Sequence, residues 1–489
     1  MTIIFLLSGF GCGFAQEAKE DRTDYTLYRL KASGLLSADD RTPFWMASNQ
    51  HGVVPLEANN GSVQAGVFHA QPLGSGWAWQ AGLDMVAVTP RYRATYVQQL
   101  YAAVSWRPIH FSIGSREGIH YNASLLDARL SSGDMAVSAN ARPMPEMNLY
   151  VPDFVTVPGT GGWLQGKGNF AVGRSFDRDY LKTHIRPDRY YNEDILWHHK
   201  SFYLRLKDTK QAFPLSATLG IRHVVQWGGV STNPAAKVRV QPHSFKDLLR
   251  IVFGQSGDEQ ATLSDQVNVL GNHLGTYDFF FTYDKKDFAV SAYYQHYFDD
   301  ASGMEFVNGT DGLWGIQADF PTFAYCRRVV VEHLVTLDQS GPFHFIQFDH
   351  DKYPGYGGGG DDYYNNGEYT TGNSCFSRSL GSPFLLSPEY NADGSPGFLH
   401  TRVRAWHLGV EGEPTKALSY RILLSALESF GTPYLPALKK LTTASVCVDM
   451  SYHFRHAWTC SVSLATDRGS LLGNRVGFGV SITKKGLIR

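Results

Sequence analysis

Residues 274–300, LGTYDFFFTYDKKDFAVSAYYQHYFDD, alternate in steps of two. Tyr277, Phe279, Phe281 and Tyr283 share one face, opposite Asp278, Phe280 and Thr282. After Asp284-Lys285-Lys286-Asp287 the alternation resumes, with Phe288, Val290, Ala292, Tyr294, His296 and Phe298 on one side and Ala289, Ser291, Tyr293, Gln295, Tyr297 and Asp299 on the other. Period-2 patterning predicts strands, and DKKD a tight turn between them. Each arm runs for about ten residues, against about 5–6 in a soluble sandwich and about 9–11 for a tilted strand crossing a bilayer. Two readings follow: a long half-buried strand of a soluble sheet, or a membrane strand with its aromatic face in lipid.

The same period recurs along the chain, at 77–88, 97–106, 202–207, 215–227, 327–335, 401–412, 418–430, 442–453, 457–465 and 475–483. In 77–85 the apolar face Trp77, Trp79, Ala81, Leu83 and Met85 is unbroken, while Gln80, Gly82 and Asp84 form the face expected to meet a lumen. Short links at 107–108, 208–212, 284–287, 413–416 and 454–456 alternate with long ones at about 228–274, 299–312, 336–400, 431–440 and 466–473. Alternation of this kind belongs to an up-and-down barrel with short periplasmic turns and long external loops. It predicts an all-β fold, a large antiparallel transmembrane outer-membrane β-barrel with a few short helices. DKKD then lies in the periplasm, and 228–274 and 336–400 lie outside or fold into the lumen. Ser244-Phe245-Lys246-Asp247 resembles a helix N-terminus, with Phe245, Leu248, Leu249 and Val252 as the apolar stripe of a short helix packed across the barrel mouth. Residues 119–200, rich in Pro, Gly and Arg, have weaker periodicity and read as a plug, an inserted loop or irregular strands.

Composition narrows the choice of solvent. Of 489 residues, 49 are Gly, 26 Tyr and 30 Phe, and only 18% are charged, below the roughly 25% of soluble domains. No segment offers the run of about 18 apolar residues that a membrane helix needs, so a membrane-spanning form of this chain has to be a closed barrel. A net charge of −1 without a concentrated basic surface argues against nucleic acid as a partner. The opening MTIIFLLSGFGCGFAQ resembles a secretory signal peptide cleaved after Ala15, leaving 16–489 as one barrel domain. Cys12 lacks a lipobox. Cys326, Cys375, Cys447 and Cys460 match no metal-binding spacing; Cys447 and Cys460, in consecutive predicted strands, are either bridged or two small unpaired hydrophobes.

The sequence holds no nucleophile elbow, metal cluster or phosphate loop at the spacing catalysis requires. Gly357 to Gly360 followed by Asp361-Asp362 lacks the Lys-Ser/Thr of a phosphate loop. His198 and His199, being adjacent, fall on opposite faces of a strand, and the Asp361, Asp362, Asn365, Asn366 and Glu368 cluster departs from the helix-loop-helix calcium pattern. No metal, cofactor or enzymatic role is indicated. The same loop carries Tyr353, Tyr356, Tyr363, Tyr364 and Tyr369 among Asp, Asn and Gly. Sugar rings present apolar faces to aromatic side chains and hydroxyls to carboxylates and amides, so the mixture suits glycan contact; amphipathic rings also suit a membrane edge. The candidate polysaccharide-binding set is Tyr353, Tyr356, Asp361, Asp362, Tyr363, Tyr364, Asn365, Asn366 and Tyr369, with Trp227 at the end of its strand.

Several stretches in order along the chain resemble the capsule assembly Wzi family, especially its Bacteroidetes branch. They are TPFWM from Thr42 with Asn49 and Gly52, SSGDMAVSANARPMPEM from Ser131, LWHHKSFYLRL from Leu196, HVVQWGG from His223, GNHLGTYDF from Gly271, DGLWGIQ from Asp311, DQSGP from Asp338, DYYNNGEY from Asp362 and RVRAWHLGVEG from Arg402. The resemblance implies an outer-membrane barrel of about 18 strands with associated helices. It also implies a lectin-like, non-enzymatic role in attaching capsular polysaccharide or exopolysaccharide at the cell surface, with outer-membrane lipid and polysaccharide export machinery as further partners. The family has no settled catalytic residues to carry over. A pore or transporter for small or hydrophobic solutes is the alternative. The final predicted strand, 475–483, is followed by KKGLIR, a departure from the aromatic terminus usual in such barrels.

Overall fold

A computed structural model describes residues 24–90, 93–118, 124–210, 212–339 and 361–488. The expected signal peptide at 1–15, Cys12, Tyr353 and Tyr356 lie outside the described residues. The alternating segments form one 18-stranded antiparallel sheet whose strands pair in chain order. The strands are β1 Tyr25–Ser37, β2 Asn60–Gly74, β3 Trp77–Thr89, β4 Thr95–Trp106, β5 Ile109–Ser115, β6 Glu146–Thr156, β7 Leu164–Arg174, β8 Leu196–Lys207, β9 Leu215–Trp227, β10 Asn272–Asp284, β11 Ala289–Phe298, β12 Gly312–Asp319, β13 Arg328–Val335, β14 Val403–Thr415, β15 Leu418–Gly431, β16 Pro436–His453, β17 Trp458–Gly469 and β18 Arg475–Ile488. β1 pairs with β18 from Thr26↔Ile488 to Ser37↔Gly477, so the sheet closes and no edge is left unpaired. The last strand runs five residues past the predicted 483, and Leu487 and Ile488 pair with Leu27 and Thr26.

Nine connections lie at one end of the barrel (38–59, 90–94, 116–145, 175–195, 228–271, 299–311, 336–402, 432–435 and 470–474) and eight at the other (75–76, 107–108, 157–163, 208–214, 285–288, 320–327, 416–417 and 454–457). Every short link named from the sequence falls at the second end, which is therefore periplasmic. Two external loops expected to be long are not: β16 starts at Pro436 and β17 continues to Gly469, leaving 432–435 and 470–474. Polar residues such as Lys439, Lys440, Asp467 and Arg468 sit inside the strands, beyond the apolar run that marked them in sequence.

The outward faces are apolar and exposed, as in Trp77, Leu83 and Met85 of β3 and Val476, Phe478, Val480 and Ile482 of β18. A continuous apolar belt of this kind would be untenable in water and is stable in lipid. The inward faces carry the polar groups: buried Asp84 accepts hydrogen bonds from Arg29 at 2.6 Å and Gln64 at 2.7 Å. The aromatic hairpin of β10 and β11 follows this division. Tyr294 stacks on Trp314 at 4.0 Å on the outer face, whereas Phe280, on the lumen side, stacks on Tyr293 at 5.1 Å.

The lumen is occupied. Segments 124–145 and 361–402 turn inward and are largely buried. Leu130, Met135, Phe376, Phe384 and Leu385 from these segments join Leu274, Leu313, Val330 and Leu423 of the wall in the main hydrophobic core. Residues 124–200 of the weakly periodic region thus comprise an inserted plug segment, strands β6 and β7, a short helical connection and the start of β8.

The described residues include five short α-helices, α1 Phe44–Ala47, α2 Arg178–His184, α3 Phe245–Phe253, α4 Leu263–Val267 and α5 Ala301–Met304. α3 starts at Ser244, whose side chain and that of Asp247 form a reciprocal capping box, and ends on Gly254 in the left-handed region at φ 61°. Its location differs from the expected barrel mouth. Val225 and Trp227 share the outward face of Leu219 and Ile221 on β9, and they are buried in a cluster with Ile251, Ala261 and Leu270. α3 therefore lies on the outside of the wall, resting on Leu248 and Ile251 while Phe245 and Leu249 of the predicted stripe point away. Cys447 and Cys460 are free; their strand partners are Ala465 and Tyr452.

Candidate functional site

The two inserted segments are bound to the wall by buried polar contacts. Asp134 meets Arg222 of β9 at 2.8 Å, both side chains fully inaccessible. It also accepts hydrogen bonds from Gln295 Nε2 at 2.8 Å, Ser124 Oγ at 3.0 Å, and the backbone N–H groups of Ala136 and Val137 at 2.9 and 3.1 Å. Glu332 of β13 accepts from Ser131 Oγ at 2.6 Å, Ser132 N at 2.7 Å and the Tyr293 hydroxyl at 2.6 Å. These wall groups point inward because each lies on the polar parity of its strand. A buried carboxylate is tolerable only with such a complete set of donors. The segments also hold each other: Ser138 N donates to Leu380 O at 2.6 Å and Ser138 Oγ to Gly381 O at 2.6 Å. Arg378 donates to Ala47 O at 2.9 Å and Val54 O at 2.7 Å, tying in the 38–59 loop.

A cavity between Arg142, Ser138, Trp197 and Leu380 measures about 30 Å³. That is room for one or two waters and not for a sugar ring.

Residues 361–370 stand at this mouth, and their side chains divide into two groups. The rings of Tyr363, Tyr364 and Tyr369 are buried, contrary to the expectation that they present faces to a glycan. Tyr363 packs on Tyr297 at 4.4 Å and accepts from Asn308 Nδ2 at 2.6 Å. Tyr364 packs on Phe398 at 5.3 Å, its hydroxyl donating to Met135 O and accepting from Ser382 N at 2.9 Å. The Tyr369 hydroxyl donates to Gly228 O at 3.3 Å. These tyrosines are framework, because a loop folded into a lumen needs apolar mass with a polar tip to fill it. Trp227 is also withdrawn, 3% exposed beneath α3 on the outer wall.

The polar members remain half-exposed. Asn365 donates to Asp362 at 2.9 Å and to Phe398 O at 2.9 Å, Asn366 donates to Asn272 at 3.2 Å, and Thr401 donates to Asp362. Burial raises the Asp362 carboxyl above its ordinary range, against those two side-chain hydrogen bonds. Two exposed tyrosines absent from the sequence-derived set flank this rim. Tyr190 is 48% exposed, and its carbonyl accepts from Thr370 Oγ1 at 2.7 Å. Tyr434 is 66% exposed, with Asp362 and Asp361 adding to the desolvation that raises its hydroxyl. Tyr190 sits in the weakly periodic region and Tyr434 in a four-residue loop; the Tyr190-Tyr191 and Pro433-Tyr434 pairs were the only local signals.

Asp311 holds the start of the long loop. It accepts from the backbone N–H groups of Leu337 at 3.0 Å, Asp338 at 3.1 Å and Gln339 at 2.6 Å, and Gln339 Oε1 in turn accepts from Tyr363 N at 3.0 Å. Burial pushes its pKa up to about 6 despite these donors.

A family model for the capsule assembly protein Wzi matches residues 129–384, a span that includes strands β6 to β13 and most of both inserted segments. The chain belongs to the Wzi capsule assembly family. Among solved structures, Wzi of Escherichia coli is similar in fold at 13% identity, with a TM-score of 0.56 over 96% of this chain and 86% of that one. That protein is described as an outer membrane protein involved in group 1 capsule assembly and a carbohydrate-binding β-barrel. OprD of Pseudomonas aeruginosa aligns over 96% of each chain at 9% identity and a TM-score of 0.46. No curated protein matches the sequence. This Wzi-family chain is an outer-membrane β-barrel, as its closed sheet and apolar belt require.

Proposed function

We propose that this barrel binds capsular polysaccharide or exopolysaccharide at the cell surface, without catalysis, and so organises the polymer where it emerges from the export machinery. The observation that carries the reading is the plugged mouth: the described lumen is filled by segments 124–145 and 361–402, and a half-exposed amide and carboxylate rim lies between exposed Tyr190 and Tyr434. Such a surface offers ring faces for stacking and oxygen and nitrogen partners for hydroxyls, on the external face of the barrel. Family membership and the carbohydrate binding attributed to Escherichia coli Wzi support the same reading. Within the earlier set, the contact residues are Asp361, Asp362, Asn365 and Asn366, with Tyr363, Tyr364 and Tyr369 shaping the loop.

The test is binding of the purified, folded barrel to the surface polysaccharide of the producing strain. Tyr190→Ala and Tyr434→Ala are each expected to weaken binding about fivefold, from the loss of roughly 1 kcal/mol of stacking. Absence of binding by the folded wild-type barrel would refute the proposal. Unchanged binding in the double variant would move the site elsewhere on the mouth.

A further inference from the structure

We infer that α3 and α4 form a shelf on the outside of the barrel whose outward face is embedded in the acyl chains of the outer leaflet.

The position of the shelf follows from strand parity. On β9, Val224 belongs to the lumen core and Val225 to the outer cluster with Ile251. Gln226 points inward, donating to Gly372 O of the plug at 2.9 Å. On β8, Lys200 shares the outward face of exposed Phe202, Leu204 and Leu206 and donates to the Val252 carbonyl of α3. Gly271 would place a Cβ 3.1 Å from Ile251 and 3.3 Å from Trp227, which shows how closely the shelf is seated on the wall.

The depth follows from the length of the apolar belt. On β3 the outward apolar run extends from Trp77 to Ala87, ten residue steps or about 26 Å of height at 3.4 Å per residue and a tilt of about 40°, close to the roughly 25 Å of an outer-membrane belt. On β9 the exposed run extends only from Leu215 to Ile221, about 16 Å by the same measure. The deficit of about 10 Å matches the diameter of one helix, and the shelf covers that part of the wall.

The shelf's outer face restores the missing apolar surface. Phe245, Phe253, Leu263 and Val267 are 74%, 72%, 75% and 72% exposed, with Leu249 beside them. Four large side chains at this exposure, adjoining a lipid-facing belt and next to polar Lys246, Arg250 and Asp258, form an interfacial amphipathic layer. Water at this depth would leave the belt of β9 too short for the bilayer that β3 spans.

The experiment uses the full chain reconstituted in lipid vesicles, with its native cysteines replaced by alanine and a nitroxide placed at Phe253→Cys or Leu263→Cys. Collision rates with lipid-soluble oxygen and with a water-soluble nickel chelate report the surroundings, with Leu219→Cys as the lipid-facing control and Tyr434→Cys as the aqueous one. The expected result is an oxygen-to-chelate ratio matching Leu219→Cys and several-fold above Tyr434→Cys at both positions. A ratio matching Tyr434→Cys would place the shelf in water and overturn the inference. Protection from both reagents would show a protein covering, whether a second copy or a partner, and would overturn it equally.

Discussion

Loss of the Asp134 carboxylate would remove the anion that meets the fully buried Arg222 guanidinium at 2.8 Å, leaving it the Tyr203 hydroxyl at 3.1 Å and the buried Asp278 that this hydroxyl contacts. Breaking a buried pair outright costs about 3–5 kcal/mol, and the remaining Tyr203 and Asp278 contacts offset part of that here. Asp134→Ala is therefore expected to loosen segment 124–145 before it unfolds the barrel, because the strands keep their own ladder. Protease cleavage within 124–145 in a barrel that still migrates as folded is the outcome to look for; a variant as resistant as wild type would show that the apolar core alone retains the plug. A second residue-scale constraint is the pairing of small with large inside the wall. A Cβ on Gly220 would lie 2.2 Å from the Tyr203 ring, so no other residue fits opposite this tyrosine without displacing it.

At the scale of elements, the loop 336–402 is tethered through Asp311, and this tether is sensitive to pH. The folded carboxyl has its pKa raised from 3.8 to about 6, so the folded state holds the proton more tightly than the unfolded one. The associated stability is fully present below about pH 4 and is lost as pH rises through about 6, a difference of about 3 kcal/mol. Hydrogen exchange of the 337–339 amides, corrected for intrinsic rate, is expected to show stronger protection at pH 4.5 than at pH 7.5. Asp311→Asn should abolish that difference, and persistence of the difference in the variant would assign it to another group. The strands themselves were legible element by element: Leu215–Trp227 was predicted to the residue, since its alternation is uninterrupted and it is bounded by Pro214 and Gly228. The loops 432–435 and 470–474 were overestimated because lysines and arginines beyond the lipid belt break an apolar pattern without ending a strand.

For the whole molecule, closure of β1 on β18 and filling of the lumen together separate this barrel from an open channel. An empty barrel of 16–18 strands leaves an aqueous channel, whereas here core side chains from the inserted segments occupy that space. Reconstituted in planar bilayers, the protein is expected to conduct far below an open porin. Steady porin-like conductance from the folded protein would instead favour the transporter alternative.

The chain's alternation, composition and link lengths determined by themselves that this is a membrane barrel, how it is oriented and which faces meet lipid. All of these depend on contacts with solvent or with neighbours two residues away. Tertiary structure alone decided which loops enter the lumen, that Tyr363, Tyr364 and Tyr369 fill it, that Tyr190 and Tyr434 stay outside, and that α3 rests on the outer wall. An aromatic ring in a long loop has the same local sequence whether it stacks on a ligand or on Tyr297. What distinguishes the cases is packing between segments more than a hundred residues apart, such as Tyr364 against Met135, and no local pattern encodes that choice.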